Sequence, residues 1–164
     1  MLPYQPINQY INKKDVRAYN ISLTYPIENL FLDNYFCESN DDEQLLIYVP
    51  FITPVSIWSI SFSYEKNKTH PTCIKLFANK PSMTFIDVDD YVPLQIINIL
   101  PSASLDIDII IKHEIRLMFQ KFQNINSLII YIEDNNGDDI SRLHSIQIQG
   151  KTIKTMDLKK IKKC

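Results

Sequence analysis

Between Val55 and Tyr64 the chain alternates with period two: Trp58, Ile60, Phe62 and Tyr64 fall on one face, and Ser59, Ser61 and Ser63 on the other. Only extended backbone sends successive side chains to opposite sides, so the pattern predicts a half-buried β-strand. Leu105, Ile107, Ile109 and Ile111 repeat it against Asp106, Asp108 and Lys112, with Ile110 interrupting the polar face. Shorter runs rich in β-branched and aromatic residues, at 44–49, 73–78, 94–100, 127–133 and 143–149, are bounded by Pro, Asn, Asp or Gly. Helical periodicity is weak outside residues 7–12 and 28–35. About seven or eight closely spaced strands predict an all-β fold, an antiparallel sandwich or barrel, rather than β-α-β units.

Glycine is nearly absent, with only Gly137 and Gly150 in 164 residues. That excludes a glycine-rich phosphate cradle, and with it ATP-driven and nicotinamide-dependent chemistry of the usual kinds. Turns must then rest on Asn, Asp and Pro, and Asn136-Gly137 within residues 133–139 predicts a type I′ hairpin. A chain this long buries about 70% of its unfolded surface, so no disulfide or metal is needed to hold it.

Seventeen basic residues stand against nineteen acidic ones. No general nucleic-acid footprint follows from that balance, and no nucleic-acid partner is expected. The distribution is uneven, however. Residues 151–164 hold six lysines and one aspartate, net +5, which leaves −7 on residues 1–150. A globular unit over 1–150 and a basic tail over 151–164 are therefore expected. The tail is either a solubilising fringe or a segment that pairs with phosphates, anionic lipid or an acidic protein groove.

Cys37, Cys73 and Cys164 are odd in number and far apart, with no C-x-x-C, which fits a reducing compartment. Cys164 is not in a C-a-a-X box. No charged leader with an apolar core opens the chain, so no secretory signal is expected and the sequons at Asn20 and Asn67 should be idle. The expected location is cytoplasmic, with nuclear access open to a chain of 19.2 kDa. Residues 45–64 carry no charge, but Pro50, Pro54 and the alternating serines predict two strands and a turn rather than a membrane span.

Signals for chemistry are thin. His70-Pro-Thr-Cys73 has the spacing of half a zinc site, with Cys37, His113 and His144 as completions, and the acidic turn at 133–139 has its glycine in the wrong register for an EF-hand. Asp106 and Asp108 share a strand face and would suit acid–base work, although alternating surface charge gives the same pattern. No G-x-S-x-G elbow is present. No catalytic residue, metal or cofactor is assigned.

Three segments read together say more: residues 37–51 with Asp-Glu-Gln-Leu-Leu-Ile-Tyr-Val-Pro-Phe, residues 74–85 with Lys-Leu-Phe-Ala-Asn-Lys-Pro, and residues 119–139 with Lys-Phe-Gln-Asn-Ile-Asn-Ser-Leu-Ile-Ile-Tyr-Ile-Glu-Asp-Asn-Asn-Gly-Asp. In order and spacing this resembles the PITH domain, the proteasome-interacting module found at the C-terminus of thioredoxin-like proteins and also as a stand-alone protein. The likeness runs from about residue 34 to 150 and is weaker at 7–20 and 155–159. It implies an antiparallel β-sandwich of jelly-roll type, galactose-binding-like in shape, and a non-catalytic docking role on the proteasome regulatory particle. The C-x-x-C of an attached thioredoxin domain is missing here, so no redox function is carried over.

The polar positions matching the motifs are Asp42, Glu43, Gln44, Lys121, Gln123, Asn124, Asn135 and Asp138; with Lys159 and Lys160 of the tail they form the expected partner-binding set. Phe122 and Leu128 read as core, and Gln44 and Asn124 as buried, hydrogen-bonded amides. The free protein is expected to be a monomer without membrane partners. The competing reading is a small-ligand or carbohydrate-binding sandwich with its site in loops at one end; it lacks an exposed aromatic platform, since Trp58 falls on the buried strand face.

Overall fold

One strand organises the molecule. In the computed structural model, which describes residues 4–101 and 109–153, the uncharged stretch expected to be two strands and a turn is a single strand, β4 (Leu45–Glu65). The prolines interrupt its ladder without turning the chain. Pairing with β8 (Ile125–Asn135) runs from Leu45 to Pro50 and resumes at Val55, so Pro50 and Pro54, which have no N–H to give, stand at the break. Their carbonyls are still used: Asn12 N–H donates to Pro50 and Ile153 N–H to Pro54.

Each half of β4 is paired on both edges. Residues 45–50 lie between β2 (Arg17–Tyr19) and β8, which continues into β5 (Pro71–Ala78) and β6 (Gln95–Asn98). Residues 55–65 lie between β10 (Ser145–Thr152), followed by β1 (Gln5–Pro6), and β7 (Ile110–Arg116). All pairs are antiparallel, giving two layers joined through β4, an antiparallel β-sandwich. A small ribbon of β3 (Cys37–Glu38) and β9 (Arg142–Leu143) closes one end. The weak helical signals correspond to 3₁₀ turns at Asn8–Tyr10 and Ile27–Phe31, and a further such turn at Lys13–Asp15 has no signal in the sequence.

Between the layers lie Leu45, Ile47, Val49, Ile60, Phe62, Ile74, Leu76, Leu128, Ile130, Ile132, Ile146 and Ile148, all at 3% exposure or less. Phe122 and Leu128 are fully buried, as expected. A second, smaller core covers the outer face of the first layer, where Leu46, Phe77, Ile129 and Tyr131 pack under Met83. That explains why residues 45–50 read as continuous apolar sequence: both faces are covered.

Trp58 does not follow the alternation read for it. Gln149 pairs with Ser59 but Gly150 pairs with Ile57, so β4 bulges at Trp58 and the ring leaves the core face while Ile57 and Ile60 both enter it. The half-buried indole stacks on Tyr4 at 4.5 Å, with Phe119 edge-on at 5.7 Å and the Arg116 guanidinium over it at 4.7 Å. Two other expectations are corrected. β10 runs to Thr152, past the domain boundary drawn at residue 150. Asn136-Gly137 is not a type I′ hairpin: only Gly137 has positive φ (106°), and after β8 the chain leaves to pair β9 with β3. The strand expected over 105–112 is seen from Ile110 onward; Asp106 and Asp108 lie outside the described residues.

The bulge explains one of the two glycines. A Cβ on Gly150 would stand 2.0 Å from the Ser56 carbonyl oxygen, a backbone atom that cannot swing away. Gly150→Ala is expected to destabilise the fold by about 3 kcal/mol, measured by urea denaturation, with the near-ultraviolet signal of Trp58 altered in the folded state.

Candidate functional site

The partner-binding set divides between the two ends of β8, roughly 33 Å apart at the rise of an extended strand. Lys121, Gln123 and Asn124 precede it, Asn135 and Asp138 follow it, and Asp42, Glu43 and Gln44 join the second group across the sheet. Lys159 and Lys160 lie outside the described residues.

At the first end Lys121 and Gln123 are exposed. Gln123 accepts a hydrogen bond from Ser56 Oγ (2.8 Å) and donates to the Phe119 carbonyl (2.8 Å). With Asn124, Lys151 and Ile153 it lines a cleft of about 340 Å³. Asn124 is exposed, not the buried amide expected; it takes a left-handed conformation (φ 55°) that turns the chain into β8. Its carbonyl accepts from Asn79 Nδ2, and Asn79 Oδ1 in turn accepts from Asn126 N–H at 2.7 Å. Asn79 (φ 59°) is thus the pin between β5 and β8, a role the motif contained but its sequence reading passed over.

At the other end Asn20 plays the same part. Held at φ 65°, it donates to the Asp42 carboxylate (2.9 Å) and the Gln44 carbonyl (2.6 Å), and accepts from Asp41 N–H (2.9 Å). Asp42 also accepts from Gln44 N–H, so its carboxylate is fixed while remaining exposed. Gln44 is half-buried and held through its backbone. Glu43 contributes its carbonyl, which accepts from the buried Ser141 hydroxyl at 2.6 Å. The amide nitrogens of both sequon asparagines are engaged, Asn67 Nδ2 donating to Glu65.

Asn135, only 8% exposed, ties the turn to that region. Its Nδ2 donates to the Ile140 carbonyl (2.8 Å) and Ser141 Oγ (3.2 Å), while Oδ1 accepts from the N–H groups of Gly137 and Asp138. All four of its side-chain bonds are internal, which makes it a structural residue rather than a contact. Asp138 caps Ile140 N–H from a half-buried position.

Among the described residues the histidines and cysteines do not gather; Cys164 lies outside them. His113 Nδ1 lies 3.2 Å from the Tyr64 hydroxyl, and His70 is buried against the Pro71 carbonyl. His144 pairs with Glu65 (3.1 Å) beside an Arg142–Glu38 ion pair that stacks on Phe36. Among the described residues no three potential ligands converge to hold a metal. Burial pushes the Cys37 thiol up to about 12 and raises Cys73, so neither is a thiolate at neutral pH.

The three motif segments that gave the resemblance build adjacent strands of one layer. β4, β8 and β5 bring Leu46, Tyr131 and Lys75 into register, and the segment after β5 folds over them, with Phe85 edge-on to Tyr131 at 5.9 Å. A family model described as PITH domain matches residues 1–164, the whole chain rather than the part read from the motifs.

The chain belongs to the PITH domain family. It is 40% identical over 115 residues to thioredoxin-like protein 1 of Schizosaccharomyces pombe, covering 66% of this chain and 38% of that one. PITH domain-containing protein 1 of Xenopus laevis is 32% identical and that of Homo sapiens 31%, each covering 70% of this chain and 52% and 51% of theirs. The PITH chain thus spans about half or less of the length of these relatives.

Among solved structures, a family 32 CBM from Clostridium perfringens NanJ in complex with galactose superposes with a TM-score of 0.60 at 9% identity, over 89% of this chain and 98% of that one. The F5/8 type C domain of a Bacteroides fragilis protein gives 0.60 at 9%, over 92% and 99%. At these identities the likeness is one of fold: this PITH domain is an antiparallel β-sandwich that resembles galactose-binding-like domains in shape. No helix among the described residues is long and apolar enough to cross a membrane.

Two outcomes test these assignments. Asn135→Ala should cost about 1–3 kcal/mol in urea denaturation, because it removes the four hydrogen bonds by which this buried side chain holds the 137–141 turn. Burial, opposed by Glu65, lowers His144 below its ordinary 6.5, so acid conditions favour the unfolded state, which binds the proton more readily. Stability should fall as pH drops below about 6.5, and His144→Gln should flatten that slope.

Proposed function

We propose that this PITH domain is a non-catalytic protein-interaction module that docks on the proteasome regulatory particle, in the cytoplasm with access to the nucleus. The supporting observation is the convergence of the three signature segments on one layer, whose outer face is closed in the middle by the segment after β5 and edged by fixed polar side chains. Such a rim, held by Asn20 and Asn79, is preorganised and loses little freedom on docking. The high thiol pKa of Cys37 and the raised Cys73 argue against a redox role for those two residues. Docking on the proteasome is what the family resemblance implies.

A second reading, carbohydrate or small-ligand binding, draws on Trp58, which the bulge turns away from the core toward Tyr4 and Phe119. Tyr4 and Arg116 already stand against that ring, which disfavours a sugar stacking there. A glycan array with no hits would dispose of it.

The tagged full chain should enrich regulatory-particle subunits from a lysate of its own organism, read by mass spectrometry. A version ending at Ile153 keeps β10 whole; loss of enrichment would place the contact in residues 154–164, and retention would leave it on the sandwich. If neither version enriches those subunits, the proteasome reading fails.

A further inference from the structure

Beside the row formed by Tyr19, Leu46, Tyr131 and Lys75 lies a cleft of about 480 Å³ lined by Tyr19, Asn20, Asp41, Asp42, Gln44 and Phe85. It combines two aromatic rings with two carboxylates. Each carboxylate is positioned from one side only: Asp42 Oδ1 accepts from Asn20 and Gln44, and Asp41 Oδ1 from Asn40, which leaves the second oxygens for a ligand. Neither has a Lys or Arg partner among the described residues, whereas Glu133 nearby is paired with Lys75.

An acidic rim alone would be ordinary solvated surface, but Tyr131 marks this one. Its side chain is 3% exposed, yet its hydroxyl has no hydrogen-bond partner among the described residues and is not sealed from solvent. Phe85 packs against its ring, and Glu133, Asp89 and Asp42 are close enough to add to burial in pushing its phenol up to about 12. A largely buried tyrosine thus brings an unused hydroxyl donor close to the Asp42 carboxylate, which lines the cleft. Among the described residues no set of three potential ligands is present for a metal ion. An organic cation fits the chemistry: flat rings attract it over their faces, and carboxylates bind it by charge-assisted hydrogen bonds.

We propose that this cleft receives a lysine or arginine side chain of a protein partner, held over the Tyr19 and Phe85 rings by Asp41 and Asp42. The assignment rests on the protein-interaction reading but not on the proteasome as the partner. Arginine anchors seated in such pockets commonly dominate interface energetics.

The test is titration of the isotope-labelled full chain with a Gly-Ser-Arg-Lys-Ser-Gly peptide, against the same peptide carrying citrulline and acetyl-lysine. The charged peptide should shift the amide signals of Asn20, Gln44 and Tyr131, and the uncharged one should not. Asp42→Asn keeps the acceptor for Gln44 N–H and removes only the charge; Tyr19→Leu removes a ring. Each should weaken binding about fivefold at unchanged melting temperature. Equal binding of both peptides, shifts mapping elsewhere, or no effect of Asp42→Asn at intact fold would overturn the cleft. Peptide binding at the cleft without regulatory-particle subunits in the pull-down would sink the proteasome reading alone; successful capture with an inert cleft would sink the cleft alone.

Discussion

Backbone hydrogen bonding along both edges of β4 is the constraint on which the rest of the structure depends. A strand of 21 residues that serves both layers fixes their relative position, since β2 and β8 must flank its first half and β10 and β7 its second. The join needs a place where the ladder can stop, and Pro50 and Pro54 supply it because they have no donor to leave unsatisfied. It also needs the bulge opposite Gly150, where only a residue without Cβ clears the Ser56 carbonyl.

Glycine scarcity has a second consequence. Four asparagines, Asn20, Asn34, Asn79 and Asn124, occupy the left-handed region that glycine would usually take. Unlike glycine, asparagine brings an amide, and Asn20 and Asn79 spend theirs on stitching the loops at opposite ends of the first layer. Turn formation and loop rigidity are thereby carried by the same residues. Exposed groups such as the Asp42 carboxylate are held in place without being buried, which is what an interaction surface requires.

The resemblance in the primary structure and the observed packing meet on the outer face of the first layer. Asp42, Asn135 and Lys121 all belong to the motifs, yet they do different things. Asn135 is consumed by four internal bonds, Asp42 is fixed with a free oxygen, and the Lys121 side chain is exposed. Linear spacing could not separate these roles, because a motif records which residues stand together and not which of their atoms are already satisfied. Asn20, Phe85 and Tyr131 do not read as site residues for a related reason: Asn20, noted only as a sequon, lies outside the three segments, and Phe85 and Tyr131 look like ordinary apolar residues until the fold sets them beside Asp42.

By itself the amino-acid sequence determined the all-β class, most strand positions, the buried Phe122 and Leu128, and family membership, because period-two patterning and motif order are local properties of the chain. Tertiary structure decided the rest. That residues 45–65 form one strand depends on partners at 11–12, 125 and 153 that rescue the proline region. That Trp58 leaves the core depends on a one-residue mismatch with β10, and that Asn136-Gly137 is no hairpin depends on β9 finding β3. Each of these is a choice of partner between segments far apart in sequence, made by hydrogen-bond satisfaction and packing, and no local pattern encodes it.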